Sequence, residues 1–281
     1  MTQIDFHLQL NHNDNWSMSR LHFHDYCEFL LPLTSPGNIF VNDQVYPLRR
    51  GTLYLIGENT LHRTIATGFH ARYVLHISRK ALSALSTPQT DFSRMAQSAF
   101  LRADMSNDQM ISLIERFQAL ERNKNDGAFG SDVHQAIALL DLLLQVAPIL
   151  DAATAGDAVR SKDFLRVSPI LDYIRDHLSE PLTLDLIAGQ FYLSKHYLCR
   201  IFKSATGFSV MEYIIYSRVL KARQLLKEGV SVQQAGELSG FSDNSHFIRT
   251  FGHLTGTSPG RYAREHHGSD AAPILGGSLK E

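Results

Sequence analysis

The sequence has few means of cross-linking itself, since two cysteines, Cys27 and Cys199, in 281 residues offer no disulfide framework. It lacks an uninterrupted apolar run of about eighteen residues and a charged-then-apolar leader, so it is expected to be soluble and cytoplasmic, without a membrane partner. It also lacks bulk charge: 27 Lys+Arg against 28 Asp+Glu leave a net charge of −1. That balance hides a difference between the halves. Residues 1–150 carry 12 basic against 14 acidic side chains and residues 168–266 carry 11 against 9, so the carboxyl-terminal part is about +2. Local patterning, rather than net charge, must bring such a region to a polyanion. At 31.6 kDa the chain can supply two domains with a core each.

What is present, in the carboxyl-terminal third, is a repeat. From Ser231 to Tyr262 the spacing of Val232, Ala235 and Leu238 predicts a helix, Gly240 supplies a positive φ to end it, and Phe241 re-enters the core. Ser242 or Asp243 then caps a second helix, which buries Phe247, Phe251 and Leu254. A single helix-turn-helix is weak support for DNA binding, because helical hairpins with a turn glycine are common. Here it occurs twice: Thr183–Gly207 aligns with Ser231–Gly256, pairing Leu198 with Phe247, Arg200 with Arg249 and Phe202 with Phe251. The offset grows by one residue after the turn, which places an extra residue at the start of the second recognition helix. Between the copies, Val210–Lys227 reads as one long helix acting as a spacer.

The outward face of the first recognition helix is expected to carry Lys195, His196, Cys199, Arg200 and Lys203, and that of the second Asn244, Ser245, His246 and Arg249. Arg200 and His196 suit base edges, and Lys195 and Lys203 suit phosphates. These segments, GFSDNSHFIRTFGHLTGTSPGRYAR and LSKHYLCRIFKSATGFS, resemble the DNA-binding domain of the AraC/XylS family of bacterial transcription regulators over Ser168–His266. The resemblance implies a double-stranded DNA operator and RNA polymerase as partners and no catalytic activity. The chain departs from the family pattern at Ala235 and Gly236, where the family usually has isoleucine and alanine, and at Gly252, where it usually has a basic residue. Glycine within a helix costs about 1 kcal/mol relative to alanine, so the second unit is expected to be less rigid and to lack one phosphate contact.

The amino-terminal part alternates in short strands. LHFHDYCEFLLPL reads as strand, and SPGNIFVNDQVYPL as a hairpin with its turn at Asn42-Asp43. Further strands follow from Gly51 and from Ala71, a texture of antiparallel barrels or jelly rolls. His22, His24, Glu28 and His62 resemble the cupin pattern, with His22 and His24 two apart on a strand and so facing one side. They are expected to line an effector pocket for a small polar, carbohydrate-like molecule, and the same set can hold a divalent metal. The HDY-x-EF strand, the ISRK segment and the overall length are also similar to regulators of chitobiose-type sugar operons.

Helical patterns follow at Asp108–Leu120, with a stripe of Ile111, Ile114, Phe117 and Leu120, and at Asp132–Val146, which is apolar around much of its circumference. That excess leaves a homodimer interface open beside simple packing on the barrel. The expected fold is therefore α+β in two domains: residues 1–150 a cupin-like antiparallel β-barrel with following helices, for effector sensing and dimerisation; 151–167 a linker; 168–266 an all-α double helix-turn-helix; and 267–281 a disordered tail. The function read from it is an effector-responsive transcription regulator at a catabolic operon. A metal-dependent cupin enzyme with an appended DNA-binding tail is the alternative, and a regulator that has lost its ligand is a third.

Overall fold

The computed structural model describes residues 4–13, 21–34, 37–65, 68–123, 127–153 and 162–266. The chain divides into two units, Met1–Leu165 and Arg166–Glu281. The first is built on two antiparallel sheets. One has the order β1 (Phe6–Asn13), β7 (His70–Ile77), β2 (Cys27–Pro32), β5 (Thr52–Ile56), β8 (Phe100–Asp104); the other has the order β4 (Gln44–Pro47), β3 (Asn38–Val41), β6 (His62–Ile65). The hairpin turn is at Asn42 and Asp43, with φ of 41° and 66°. Both residue types tolerate this left-handed conformation.

Every residue of β2 is buried because both faces of its sheet are covered. On one face Phe29, Leu31, Leu55 and Leu75 pack with Leu113 and Phe117 of α2 (Asn107–Arg122) and Leu139 and Leu142 of α3 (Ser131–Asp151). On the other, Leu30, Tyr54, Ile56 and Val74 meet Ile39 and Val41 of the second sheet. Of the expected antiparallel barrel or jelly roll, the structure shows two open antiparallel sheets packed face to face. Among the described residues they share no strand pairing, and His22 adds an isolated bridge to His62. A shorter helix, α1 (Arg79–Leu85), follows β7 and is capped by Ser78.

The helical stripes differ from the sequence reading in phase. In α2 the buried set is Met110, Leu113, Phe117 and Leu120, whereas Ile111 is exposed. In α3, which runs past Pro148 to Asp151, Leu139, Leu142, Leu143, Val146, Ile149 and Leu150 are buried while Val133, Ile137 and Leu144 are exposed. This is the only helix among the described residues long and apolar enough to cross a membrane, and its buried leucines belong to the core of the first unit.

Seven helices follow among the described residues: α4 (Lys162–Asp176), α5 (Leu184–Gln190), α6 (Lys195–Thr206), α7 (Val210–Lys227), α8 (Val232–Leu238), α9 (Asn244–Thr255) and α10 (Pro259–His266). The first residues of α4 fall within the stretch read as linker. Residues 154–161 of that stretch, and the tail 267–281, lie outside the described residues. In α7 the buried residues are Val210, Tyr213, Ile214, Tyr216, Val219, Ala222, Arg223 and Leu226. At about 1.5 Å per residue it is a rod of roughly 27 Å. The guanidinium of Arg223 stacks 4.9 Å from the ring centre of Tyr262 in α10, which lets a charged residue sit inside this helical core.

Candidate nucleic-acid interface and buried histidine cluster

The two helix-turn-helix units are built by the same local rules. Each of their four helices is capped by a side-chain oxygen: Thr183 accepts from Leu186 N, Ser194 from Tyr197 N, Ser231 from Gln234 N and Asp243 from His246 N. Both recognition helices, α6 and α9, have 12 residues and end at a left-handed glycine, Gly207 (φ 85°) and Gly256 (φ 74°). Thr206 and Thr255 each donate from their hydroxyl to the carbonyl four residues back, at 2.7 and 2.8 Å. Since the helices are equal in length, the extra residue of the second copy lies in the turn and not in the recognition helix. Ser242 is inserted ahead of the cap, and Asp243 takes the place of Ser194.

Behind α6, Leu198, Ile201 and Phe202 are buried; in front, Lys195, His196, Arg200 and Lys203 are exposed and Cys199 is half-buried. Lys195 forms an ion pair with Asp185 at 3.0 Å, and the Arg200 guanidinium lies 5.2 Å from the centre of the Tyr197 ring, one turn away. Behind α9, Phe247 and Phe251 are buried but Leu254 only partly so; in front, Asn244, Ser245, His246 and Arg249 are exposed. Ile248, on the same outward face, is 40% exposed.

Gly236 has a steric reason. A Cβ there would lie 2.8 Å from Phe247 Cδ1, so the glycine admits the aromatic ring between α8 and α9. This corrects the expectation that it merely loosens the helix. Leu238, expected on the buried stripe of α8, is 52% exposed, and Ser239 is buried in its place. At Gly252 an added Cβ would meet nothing nearer than Thr257 O at 3.9 Å, so that gap in the polar face is open.

In the first unit His22, His24, Glu28 and His62 converge, with one potential ligand atom from each within 4.8 Å of the others. His22 and His24 are not in a regular strand. Instead, backbone bonds between His22 and His62 (3.1 and 3.0 Å) and from Asn59 N to His24 O (2.8 Å) hold the segment. The cluster centres on one carboxylate oxygen: Glu28 Oε2 is 3.1 Å from His24 Nε2, 3.6 Å from His62 Nε2 and 3.0 Å from His76 Nε2. Burial opposes ionisation of Glu28, yet its contacts with these imidazoles outweigh burial and hold the carboxyl well below the usual range. Burial pushes His24 down.

His76 was missed in the sequence, although its strand was recognised; the signal is register, because Glu28 and His76 are directly paired across β2 and β7. Tyr26, stacked on His24 at 4.0 Å, was also missed. A cleft of about 160 Å³ lined by Phe6, His7, Tyr26 and His76 adjoins the cluster. A second buried polar pair, His70 and Arg72, lies two residues apart further along β7. The His70 imidazole is lowered to about 4, by burial first and then by the charge of Arg72.

Residues 187–265 match the family described as a helix-turn-helix domain. The chain is 27% identical over 247 residues to the HTH-type transcriptional regulator YfiF of Bacillus subtilis, covering 86% of this chain and 78% of that one. It is 26% identical over 257 residues to the HTH-type transcriptional activator RhaS of Salmonella arizonae, covering 90% and 89%. Among solved structures, the DNA-binding domain of AdpA in complex with a target DNA is 26% identical, covering 37% of this chain and 96% of that one with a TM-score of 0.35. The relatives are named as transcription regulators rather than enzymes, and residues 187–265, with their paired, side-chain-capped units and exposed second helices, form a DNA-binding helix-turn-helix region of the AraC type.

Proposed function

We propose that the chain is a one-component regulator in the cytoplasm, in which residues 1–150 sense a small polar effector and residues 168–266 read an operator at a catabolic operon. The observation that carries this reading is the doubled helix-turn-helix, whose matching faces present Lys195, His196, Cys199, Arg200 and Lys203 on α6, and Asn244, Ser245, His246 and Arg249 on α9. With α7 as spacer, the two helices meet successive major grooves, roughly 34 Å apart. RNA polymerase is the protein partner in activation. The exposed apolar residues Val133, Ile137 and Leu144 on α3, with Ile111 on α2, support a homodimer contact through these helices.

The effector site is the cupin-like interior at His22, His24, Glu28 and His62, where buried polar groups are costly unless a hydroxyl-rich ligand satisfies them. Switching requires the effector to bind one state of the chain more tightly than another. The test is to sequence the DNA retained by the purified protein, footprint it, and repeat binding with candidate sugars. Two protected segments about one helical turn apart and a sugar-dependent change are expected. One protected segment, or affinity indifferent to every sugar, would count against the respective half of the reading.

A divalent metal at the same cluster is the second reading, favoured by the tautomers. Nδ1 of His24 donates to Tyr26 O at 2.8 Å and Nδ1 of His62 to Thr60 O at 2.9 Å, because a carbonyl can only accept. Each therefore turns Nε2 toward Glu28, and His62 Nε2 has no hydrogen-bond partner among the described residues. That is the orientation in which imidazoles ligate metals. Stoichiometric metal by elemental analysis, lost in Glu28→Gln, would establish this reading, and metal-free protein that binds sugar would remove it.

A further inference from the structure

We infer that Ile248 gives the second helix-turn-helix a thymine-specific contact, by packing its side chain against a thymine methyl group in the major groove. The inference rests on the reading of α9 as a major-groove helix. Ile248 lies in the middle of the outward face, four residues after Asn244, three after Ser245 and next to Arg249, all of them exposed. Four residues further on is Gly252, which carries no side chain and has open space at its Cβ position. Ile248 therefore projects from a face that is bare on its carboxyl-terminal side. The position is asymmetric between the repeats: its counterpart on α6 is Cys199, smaller and half-buried between Lys195 and Lys203.

The chemistry of the two faces divides accordingly. The first helix offers Lys195, Arg200 and Lys203, cations suited to phosphates and guanine, whereas the second offers Arg249 among short polar side chains and one branched apolar group. Among the bases, thymine alone presents a methyl group in the major groove. A β-branched side chain with a stiff χ1 meets it at little entropic cost.

The experiment uses full-length protein and an operator fragment obtained by selection, in which each thymine is replaced in turn by deoxyuridine, a change that removes only the methyl group. Burial of one methyl-sized group predicts a loss of roughly four-fold in affinity at one thymine for the unmodified protein, and no loss there for Ile248→Ala. Ile248→Val, which keeps the branch, should restore most of the discrimination. Equal thermal midpoints for the three proteins check that misfolding is not the source of any difference. A thymine penalty that persists unchanged in Ile248→Ala, or no penalty at any position, overturns the inference while leaving the regulator reading intact. Failure of the unmodified protein to select any DNA would overturn the DNA-binding reading, and the inference with it.

Discussion

Tyr192 and Gly240 occupy the same place in two copies of one turn, 48 residues apart, and both adopt the left-handed conformation, with φ of 54° and 96°. The surrounding hydrogen bonds repeat as well. Leu193 N donates to Ala188 O at 2.8 Å and Phe241 N to Gly236 O at 3.0 Å, closing each helix in the same way. A glycine takes this conformation freely, whereas a tyrosine is strained in it. At Gly240 the backbone also has no room, since a Cβ would come 2.3 Å from Leu178 O. Tyr192, by contrast, is 97% exposed, so its side chain contributes little packing in return.

Replacing Tyr192 by glycine should therefore stabilise the protein by roughly 0.5–1 kcal/mol, the relief of strain less the added freedom of the unfolded chain. Gly240→Ala should cost about 2 kcal/mol or more. Urea denaturation reads both, and a destabilised Tyr192→Gly would show that the tyrosine ring has a packing role.

Gly236→Ala tests the steric account of α8. Helix propensity alone predicts a gain of about 1 kcal/mol, but displacing the Phe247 ring should cost about 1–3 kcal/mol. A net loss of stability is expected. An alanine variant with a higher unfolding midpoint would mean that Phe247 moves aside freely.

On the DNA face, Arg200→Ala should weaken operator binding by about 1–3 kcal/mol and relax selectivity at one base pair. Gly252→Lys should do the reverse for affinity, with the slope of log affinity against log salt steeper by about one. Binding isotherms at several salt concentrations decide both. An unchanged salt slope for Gly252→Lys would place that position away from phosphate.

Acid should destabilise the first unit in two stages. The folded His70, at about 4, refuses a proton that the unfolded chain accepts below about 6.5, so its contribution is intact above that pH and declines as pH falls toward 4. His24, also lowered, acts in the same direction. The depressed Glu28 adds its loss at still lower pH. Thermal midpoints from pH 7 to pH 4 should fall, and less steeply for His70→Gln; parallel curves for the two proteins would exclude His70 as a source.

What the sequence made legible was whatever depends on neighbours in the chain. The repeat, its spacer helix and the Asn42-Asp43 hairpin follow from periodicity and turn chemistry. The positions of Phe247 and Phe251 follow from spacing alone. What escaped depends on partners distant in sequence. The Glu28–His76 pairing is a matter of strand register, and Phe100–Asp104 is a short strand whose place is set by β5. The buried stripe of α2 runs through Met110 and Leu113, with Ile114 only partly buried at its edge and Ile111 exposed, because the phase of an apolar helix is chosen by the surface it meets. The glycine at 236 looked like a defect until the ring of Phe247 was seen against it.

The single oxygen of Glu28 shared by three imidazoles bears on the order of folding. His24 precedes β2, whereas His62 and His76 come from β6 and β7, in different sheets. Losing water from that carboxylate is favourable only once all three rings are in place, so the cluster should close after the sheets have paired. Glu28→Gln should then speed unfolding while leaving the refolding rate nearly unchanged, a pattern that stopped-flow chevrons would reveal. If refolding slows instead, the carboxylate is part of the nucleus, and the sheets assemble around it.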